Sequence, residues 1–520
     1  MPPKQDIKKN LFSALFVAVA SYLFLSIIKN PFPLTSDECF SLYHAQFPIP
    51  TIWKELSKGN NPPLFETVLH FWIHVSGYTE VAIRNLPTII TSITAGLLWL
   101  LSQQINKSKL ANALAVLFFV GSNTILLFSQ EIRAYSLLLL FTVLVQLLWL
   151  TPTINKTKIH KVLWAICAAA LVYTHFFGFW ILLIQGLFEL SELINKIKQT
   201  PSSKRKIGHT IVAQFWPWLI LLFLYAPYLQ VVIFRFVDSA SSGTWMEPAP
   251  WAAPYFTLWK FTNIPVAVFP TILLLLINIK SVISRSPIDA NNNADTNKTE
   301  KYLIASFLIP FLGMWLISLP SPWCVPMFNE RYASFVLPSL ALAVASPLKG
   351  INISLSSISK NKALLFLWLI LLISQFRFRT ITVNQNIDVT TAVSEVKNKK
   401  NASVILEPDH AAFQWLYYTN QTKFKHWRSD SIYHHMAQQL IQEKVYILKT
   451  TKSLDSFGLQ DAPNLYYAHL DNRKTEHTQM IEKQLQKNFI IQPFPFSIGG
   501  NNHTKLKSKT SELWKLDPKL

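Results

Sequence analysis

Glycine is scarce in this chain, 13 among 520 residues, and none of them builds a phosphate-cradling motif. That absence argues against a nucleotide-binding loop. Cysteine is rarer still: Cys39, Cys167 and Cys324 give neither a disulfide framework nor metal-ligand spacing, although Cys39 and Cys324 fall where a bridge is conceivable. Charged residues make up 15% of the sequence, against about 25% in soluble domains. No internal repeat is visible, and no A-x-A cleavage site follows the first apolar run, Leu11 to Ile28.

What is present is apolar, at 50% hydrophobic and 13% aromatic residues. The formal net charge of +20 suggests nucleic acid in a soluble protein. Here the Lys and Arg residues gather in short loops between apolar blocks, as in a polytopic membrane protein, so no nucleic-acid partner is expected. Runs of spanning length are predicted near 11–28, 86–103, 110–128, 136–151, 162–177, 178–194, 211–229, 256–279, 302–319, 333–347 and 363–376. With the N-terminus inside, loops 104–109, 152–161, 195–210, 280–301 and 348–362 hold most of the loop cations on the cytoplasmic side.

About 11 spans put the tail outside. The expected architecture is an α-helical polytopic membrane protein: a transmembrane module over 1–376 with a long first outer loop, 29–85, and a small C-terminal α/β extracytoplasmic domain over 377–520. In the tail, 403–407, 445–449 and 489–498 read as strands, and 390–399, 409–419, 430–443 and 475–487 as amphipathic helices. The stretch 64–76 follows Pro62-Pro63 and reads as a helix lying along the membrane interface. Trp53, Trp72, Trp245 and Trp251 suit headgroup depth.

Charged knots abut the apolar runs on one predicted side of the bilayer. They are Asp37-Glu38, Glu131 with Arg133, and Glu330 with Arg331, joined by Arg84, Lys54, Lys58 and Glu66. Acids and arginines near membrane depth are expensive, and their clustering points to use. Arginine there suits bidentate capture of phosphate; the plainer reading pairs each with its nearest acid, Glu80 with Arg84, Glu131 with Arg133 and Glu330 with Arg331. Asp37 and Glu38 point in different directions and so take separate roles: a proton-accepting carboxylate or, with Thr35 and Ser36, a helix N-cap. Glu66, His70 and His74 share one helix face, as a ligand row or as the polar stripe of an amphipathic helix. His175 reads as an interhelical histidine, and Tyr135 and Tyr332 follow arginines at similar spacing.

At these residues the chain resembles the polyprenyl-phosphate-sugar-dependent glycosyltransferases of the GT-C fold, a family including dolichyl-phosphate-mannose protein mannosyltransferases and bacterial aminoarabinose lipid A transferases. The resemblance covers roughly residues 11–350. It is carried by Ser36-Asp37-Glu38, Asn61-Pro62-Pro63-Leu64-Phe65, Glu80-Val81-Ala82-Ile83-Arg84, Gln130-Glu131-Ile132-Arg133-Ala134-Tyr135 and Glu330-Arg331-Tyr332. It implies catalysis by Asp37, with Glu131 the second acidic site. Donor phosphate falls to Arg84, Arg133 and Arg331, with Lys54 or Lys58 substituting for the His or Lys that several relatives carry where this chain has Asn61. Glu38, Asn61, Glu66, His70, Tyr135 and Tyr332 become substrate-lining candidates. The implied partners are a polyprenyl-phosphate-linked sugar, a lipid, protein or glycan acceptor, and membrane lipids. The energy comes from the lipid-linked donor, so no nucleotide-binding loop is required; a divalent metal is compatible, although no ligand spacing calls for one. The implied location is the inner (plasma) membrane with the N-terminus cytoplasmic. The alternative from another class is a transporter or lipid flippase, which calls for paired repeats and charges near mid-membrane.

Overall fold

The computed structural model describes residues 4–518 apart from 29–32, 107, 152–156, 200–203, 243–245, 285–293, 322–323, 350–360, 377–388, 420–435, 437, 439, 448–457, 460–461, 471–474 and 494–511. The chain divides into two compact units, and neither is continuous in sequence. One comprises residues 1–29, 56–65 and 84–380; the other 30–55, 66–83 and 381–520.

The first unit is helical, and the chain is a membrane protein. Among the described residues seven helices are long and apolar enough to cross a bilayer: Lys8–Ile27, Glu80–Ile105, Phe176–Ile197, Gln214–Arg235, Pro265–Ile283, Asn297–Ile317 and Glu330–Leu348. Shorter apolar helices occupy Lys109–Gly121, Tyr135–Leu150 and Lys362–Gln375. Burial separates centre from periphery. In Glu330–Leu348, 83% of the apolar window is buried, against 17% in Lys8–Ile27 and in Gln214–Arg235. The central segment can be enclosed because Ser339, Ala341, Ala343 and Ala345 are small, which lets neighbouring backbones approach. Its polar fastenings come from Gln146 Nε2, which donates to Ser339 Oγ (2.8 Å), and Asn278 Nδ2, which donates to the Ala343 carbonyl (3.0 Å). A carboxylate within an apolar helix, Glu189, is satisfied by the indole N–H groups of Trp149 (2.9 Å) and Trp218 (2.8 Å).

Two predicted runs are broken. Residues 110–128 divide at the extended Ser122 into helices Lys109–Gly121 and Asn123–Phe128. Residues 256–279 divide at Asn263, which takes a left-handed φ of 68° and ends the helix Ala253–Thr262 before Val268–Ile283 begins. The two breaks are tied together: Asn263 Oδ1 accepts from the Asn123 amide (2.7 Å), and its Nδ2 donates to the Gly121 carbonyl (2.8 Å). A Cβ at Gly121 would meet the Gln375 side chain at 2.9 Å, so only glycine lets this junction close without a shift.

The second unit is built on a five-stranded sheet: β1 (Ala402–Glu407), β2 (Val445–Ile447), β3 (Asn464–His469), β4 (Phe489–Pro493) and β5 (Glu512–Pro518), in the order β2-β1-β3-β5-β4. β1 pairs in parallel with β2 and β3, and β5 is antiparallel to β3 and β4. Helices Val389–Lys397, Ala411–Thr419 and Glu476–Asn488 complete the α/β domain. Ile405, Leu465, Tyr467, Ile481, Leu485, Phe489 and Leu516 form a core. β3 and β5 were not among the predicted strands. Residues 448–449 of one predicted strand, 494–498 of another and Trp245 lie outside the described residues; of the predicted 430–443 helix, 430–435, 437 and 439 lie outside them, while 440–442 are helical.

Helix Ser36–His44 and residues 66–76 of helix Leu64–Ser76 belong to this second unit. Ser36–His44 lies against Ala411–Thr419, with the rings of Phe40 and Tyr43 edge-on to Phe413 at 5.4 and 5.3 Å. All three cysteines are free.

Candidate functional site: a cation cluster and an exposed acid

In the helical unit, Ser129–Ala134 is the turn between helices Asn123–Phe128 and Tyr135–Leu150, and its backbone is fastened from three sides. Arg84 Nη1 donates to the Gln130 carbonyl (2.8 Å), Thr88 Oγ1 to the Ser129 carbonyl (2.6 Å), and the Gln130 side chain to the carbonyls of Leu25 and Ile28 at the end of the first span. The Arg84 guanidinium thus engages the turn. The bonds hold Glu131 and Arg133 in fixed orientation, and the turn tightens through the Arg133 amide to the Glu131 carbonyl (2.8 Å).

Side chains distant in sequence meet here. Arg331 Nη1 lies 3.7 Å from Glu131 Oε1. Arg133 Nη2 donates to Asn61 Oδ1 (3.2 Å), so Asn61 orients a guanidinium. Glu330 pairs with Lys260. Arg331 and Glu330 therefore each find a partner in another segment. Asn329 caps the short helix at Glu330, accepting from the Arg331 amide (2.9 Å). Tyr135 is within electrostatic reach of Arg331, Arg133, Glu131 and Tyr332. His175 packs against Tyr332 with ring centroids 5.4 Å apart. Glu131 is buried while Arg331 is partly exposed. Such a cluster, cationic on balance and open to solvent, is equipped to hold an anion by charge-assisted hydrogen bonds.

Lys260 did not emerge from the sequence reading because it sat inside an assumed span. Its signal was local: Thr262-Asn263-Ile264-Pro265 is a turn sequence that ends a helix just after the lysine.

In the other unit, Asp37 and Glu38 separate as adjacent residues on a helix must. Glu38 is buried and completes a capping box: its amide donates to Thr35 Oγ1 (3.1 Å), and its Oε2 accepts from the Thr35 amide (2.8 Å). Asp37 is exposed in the first turn. Glu66 is buried and accepts from Ser41 Oγ (2.8 Å), and His70 Nδ1 lies 2.8 Å from the Ala45 carbonyl. The stripe Glu66-His70 thus faces the Asp37 helix, while His74 is exposed. His44 is fully buried, with Nδ1 2.8 Å from the Phe40 carbonyl. Lys54, in this unit, is exposed, as is Lys58 in the helical unit. Among the described residues no group of three His, Cys, Asp or Glu is placed to hold a metal ion.

A third cluster was not anticipated. Glu407 ends β1, in register with His469 at the end of β3. Its carboxylate is buried and accepts from Tyr467 and Thr478 hydroxyls, both at 2.8 Å. His469 Nδ1 stands 3.6 Å away and His477 Nδ1 3.5 Å. Burial alone would raise the pKa of this carboxyl; the contacts from His469, Tyr467 and Thr478 together outweigh it and hold the pKa at about 2.

Comparison with solved structures defines the class: the chain has the GT-C fold. The crystal structure of ArnT from Cupriavidus metallidurans bound to undecaprenyl phosphate matches with a TM-score of 0.56 at 10% identity, covering 99% of this chain and 98% of that one. The apo form of ArnT gives 0.55 at 10% identity, covering 98% of each chain. The archaeal oligosaccharyltransferase AglB from Archaeoglobus fulgidus, in complex with an inhibitory peptide and a dolichol-phosphate, overlaps at 0.44 with 11% identity, over 78% of this chain and 64% of that one. No protein-family model and no curated protein matches the sequence.

Proposed function

We propose that this protein is an integral-membrane glycosyltransferase that moves a sugar from a polyprenyl-phosphate donor to an extracytoplasmic acceptor. The observation that carries the reading is the cation cluster, Arg133 and Arg331 with Lys260, on a chain whose fold matches ArnT with undecaprenyl phosphate bound over nearly its whole length. The positive-inside bias puts the N-terminus in the cytoplasm and the α/β domain outside the cell's inner membrane.

The reaction is a single displacement with inversion. Asp37 takes the proton from the acceptor hydroxyl or amine. The acceptor's lone pair forms the new bond to the anomeric carbon as the bond to the phosphate oxygen breaks, and the electron pair leaves with the polyprenyl phosphate. Asp37 suits the base role because its carboxylate is exposed, whereas that of Glu38 closes a cap. Arg133 and Arg331, helped by Lys260, stabilise the charge growing on the leaving phosphate; removing one such donor costs ~10²–10³ in rate. Arg84 supports them by holding the Gln130 carbonyl. Lys54, Lys58, Glu66, His70, Tyr135 and Tyr332 remain candidates for lining donor or acceptor.

The test is transfer of radiolabelled sugar from synthetic polyprenyl-phosphate donors by the purified protein in nanodiscs, with mass spectrometry of surface glycans and glycolipids after deletion of the gene identifying the acceptor. Asp37→Ala is expected to abolish transfer while donor binding persists. Full activity in that variant overturns the base role, and movement of donor across the bilayer without transfer favours the transporter or flippase alternative.

A further inference from the structure

The segment 33–35 that leads into the Asp37 helix has no regular structure, so its buried backbone groups need partners from elsewhere. They find them on the helix Ala411–Thr419. The Leu34 amide donates to the Tyr418 hydroxyl (2.6 Å), and the Leu34 carbonyl accepts from Gln414 Nε2 (2.7 Å). The Tyr418 hydroxyl in turn donates to Glu80 Oε1 (2.8 Å). Ser36 Oγ, next to Asp37, donates to the His410 carbonyl. Leu34 is fully buried and Gln414 nearly so.

Two residues about 380 positions away thus fix both polar backbone groups of Leu34, and the capping box fixes the next turn. Asp37 follows Leu34 by three residues, which leaves little freedom in where its carboxylate stands. The hold is anchored deeper in the domain: the Ala411 amide donates to the Pro408 carbonyl (3.0 Å), directly after the saturated Glu407. Burial first, then the neighbouring Cys39 and Glu80, push the pKa of Tyr418 up, which keeps its hydroxyl a neutral donor at every working pH.

We propose that the C-terminal domain is part of the catalytic apparatus, with Tyr418 and Gln414 acting as positioning residues that set the place of the Asp37 carboxylate. The inference rests on Asp37 being the base. Neither side chain needs to touch substrate. Both act through the backbone of Leu34, and a misplaced reacting group costs up to ~10² in rate.

The experiment uses the full-length protein in nanodiscs with Tyr418→Phe, which removes the hydroxyl that both accepts and donates, and Gln414→Met, which keeps the shape of the side chain. Two readouts are taken. In steady-state transfer, kcat is expected to fall about tenfold or more with KM for the lipid donor within about twofold of wild type, and Tyr418→Phe should add no further loss to Asp37→Asn. In hydrogen–deuterium exchange, protection over residues 35–44 should drop while the Glu330–Leu348 helix stays protected. Wild-type kcat in both variants, or unchanged exchange over 35–44, overturns the proposal. If the wild-type protein transfers no sugar, the functional reading has failed, and the exchange measurement alone still decides whether the tail holds the loop.

Discussion

Two of the buried carboxylates, one in each unit, stand in opposite circumstances. Glu407, in the α/β domain, has a hydroxyl donor on each oxygen at 2.8 Å and two imidazoles within 3.6 Å. Glu131, in the helical unit, faces Arg331 at 3.7 Å, a long contact to a partly exposed guanidinium. A carboxylate closed in by short bonds from neutral donors is bound to one arrangement, and disturbing it costs folding energy. A long contact to a partly solvated cation constrains little, so the cation can turn toward an incoming anion at small cost. The first pattern marks a structural anchor and the second a binding group.

The sharpest way to break this contrast is to remove one cation. Arg331→Ala is expected to lower sugar transfer by ~10²–10³ with the melting temperature of the purified protein almost unchanged; a large loss of stability with intact turnover would reverse the assignment of roles. Glu407→Gln should do the opposite, lowering the stability of the α/β domain by roughly 1–3 kcal/mol in denaturant melts. The same group sets a pH dependence. Its folded pKa is depressed from the usual 4.5 to about 2, so its contribution is fully present above pH 4.5 and is lost as the pH falls toward 2. Wild-type protein should therefore unfold more readily over that window than Glu407→Gln does relative to its own value at pH 5. A smaller effect is expected of Lys260→Ala, about tenfold in transfer, since the lysine is more exposed and already paired with Glu330. Least of all should follow from His74→Ala, an exposed neighbour of the buried stripe, with stability within about 0.5 kcal/mol of wild type.

Much of this was legible in the order of residues. Apolar runs marked the long helices, and Thr35-Ser36-Asp37 read as a helix N-terminus, which the structure realises with Thr35 as the cap and Glu38 closing the box, leaving Asp37 on the surface. The helix after Pro62-Pro63 begins at Leu64, as the proline pair predicts. What escaped is what sequence order does not encode. Arg331 meets a glutamate 200 positions away and Lys260 meets Glu330, partners that proximity along the chain does not suggest. Strand β3 is buried almost throughout, which erases the alternation that reveals a half-exposed strand. The breaks at Ser122 and Asn263 fall at short turn sequences, Gly121-Ser122-Asn123-Thr124 and Thr262-Asn263-Ile264-Pro265, that hydropathy averaged over a spanning window smooths away.

The second compact unit is stitched from residues 30–55, 66–83 and 381–520, and this orders the events of biogenesis. The ribosome delivers the first two pieces early and their partner last, so the acidic loop waits through the insertion of every intervening helix before its support exists. A nascent chain halted near residue 380 would be inserted yet unfinished. Conversely, a tail expressed by itself would bare the aromatic face of Phe413, Tyr417 and Tyr418 and should clump unless the two loop pieces are supplied in trans.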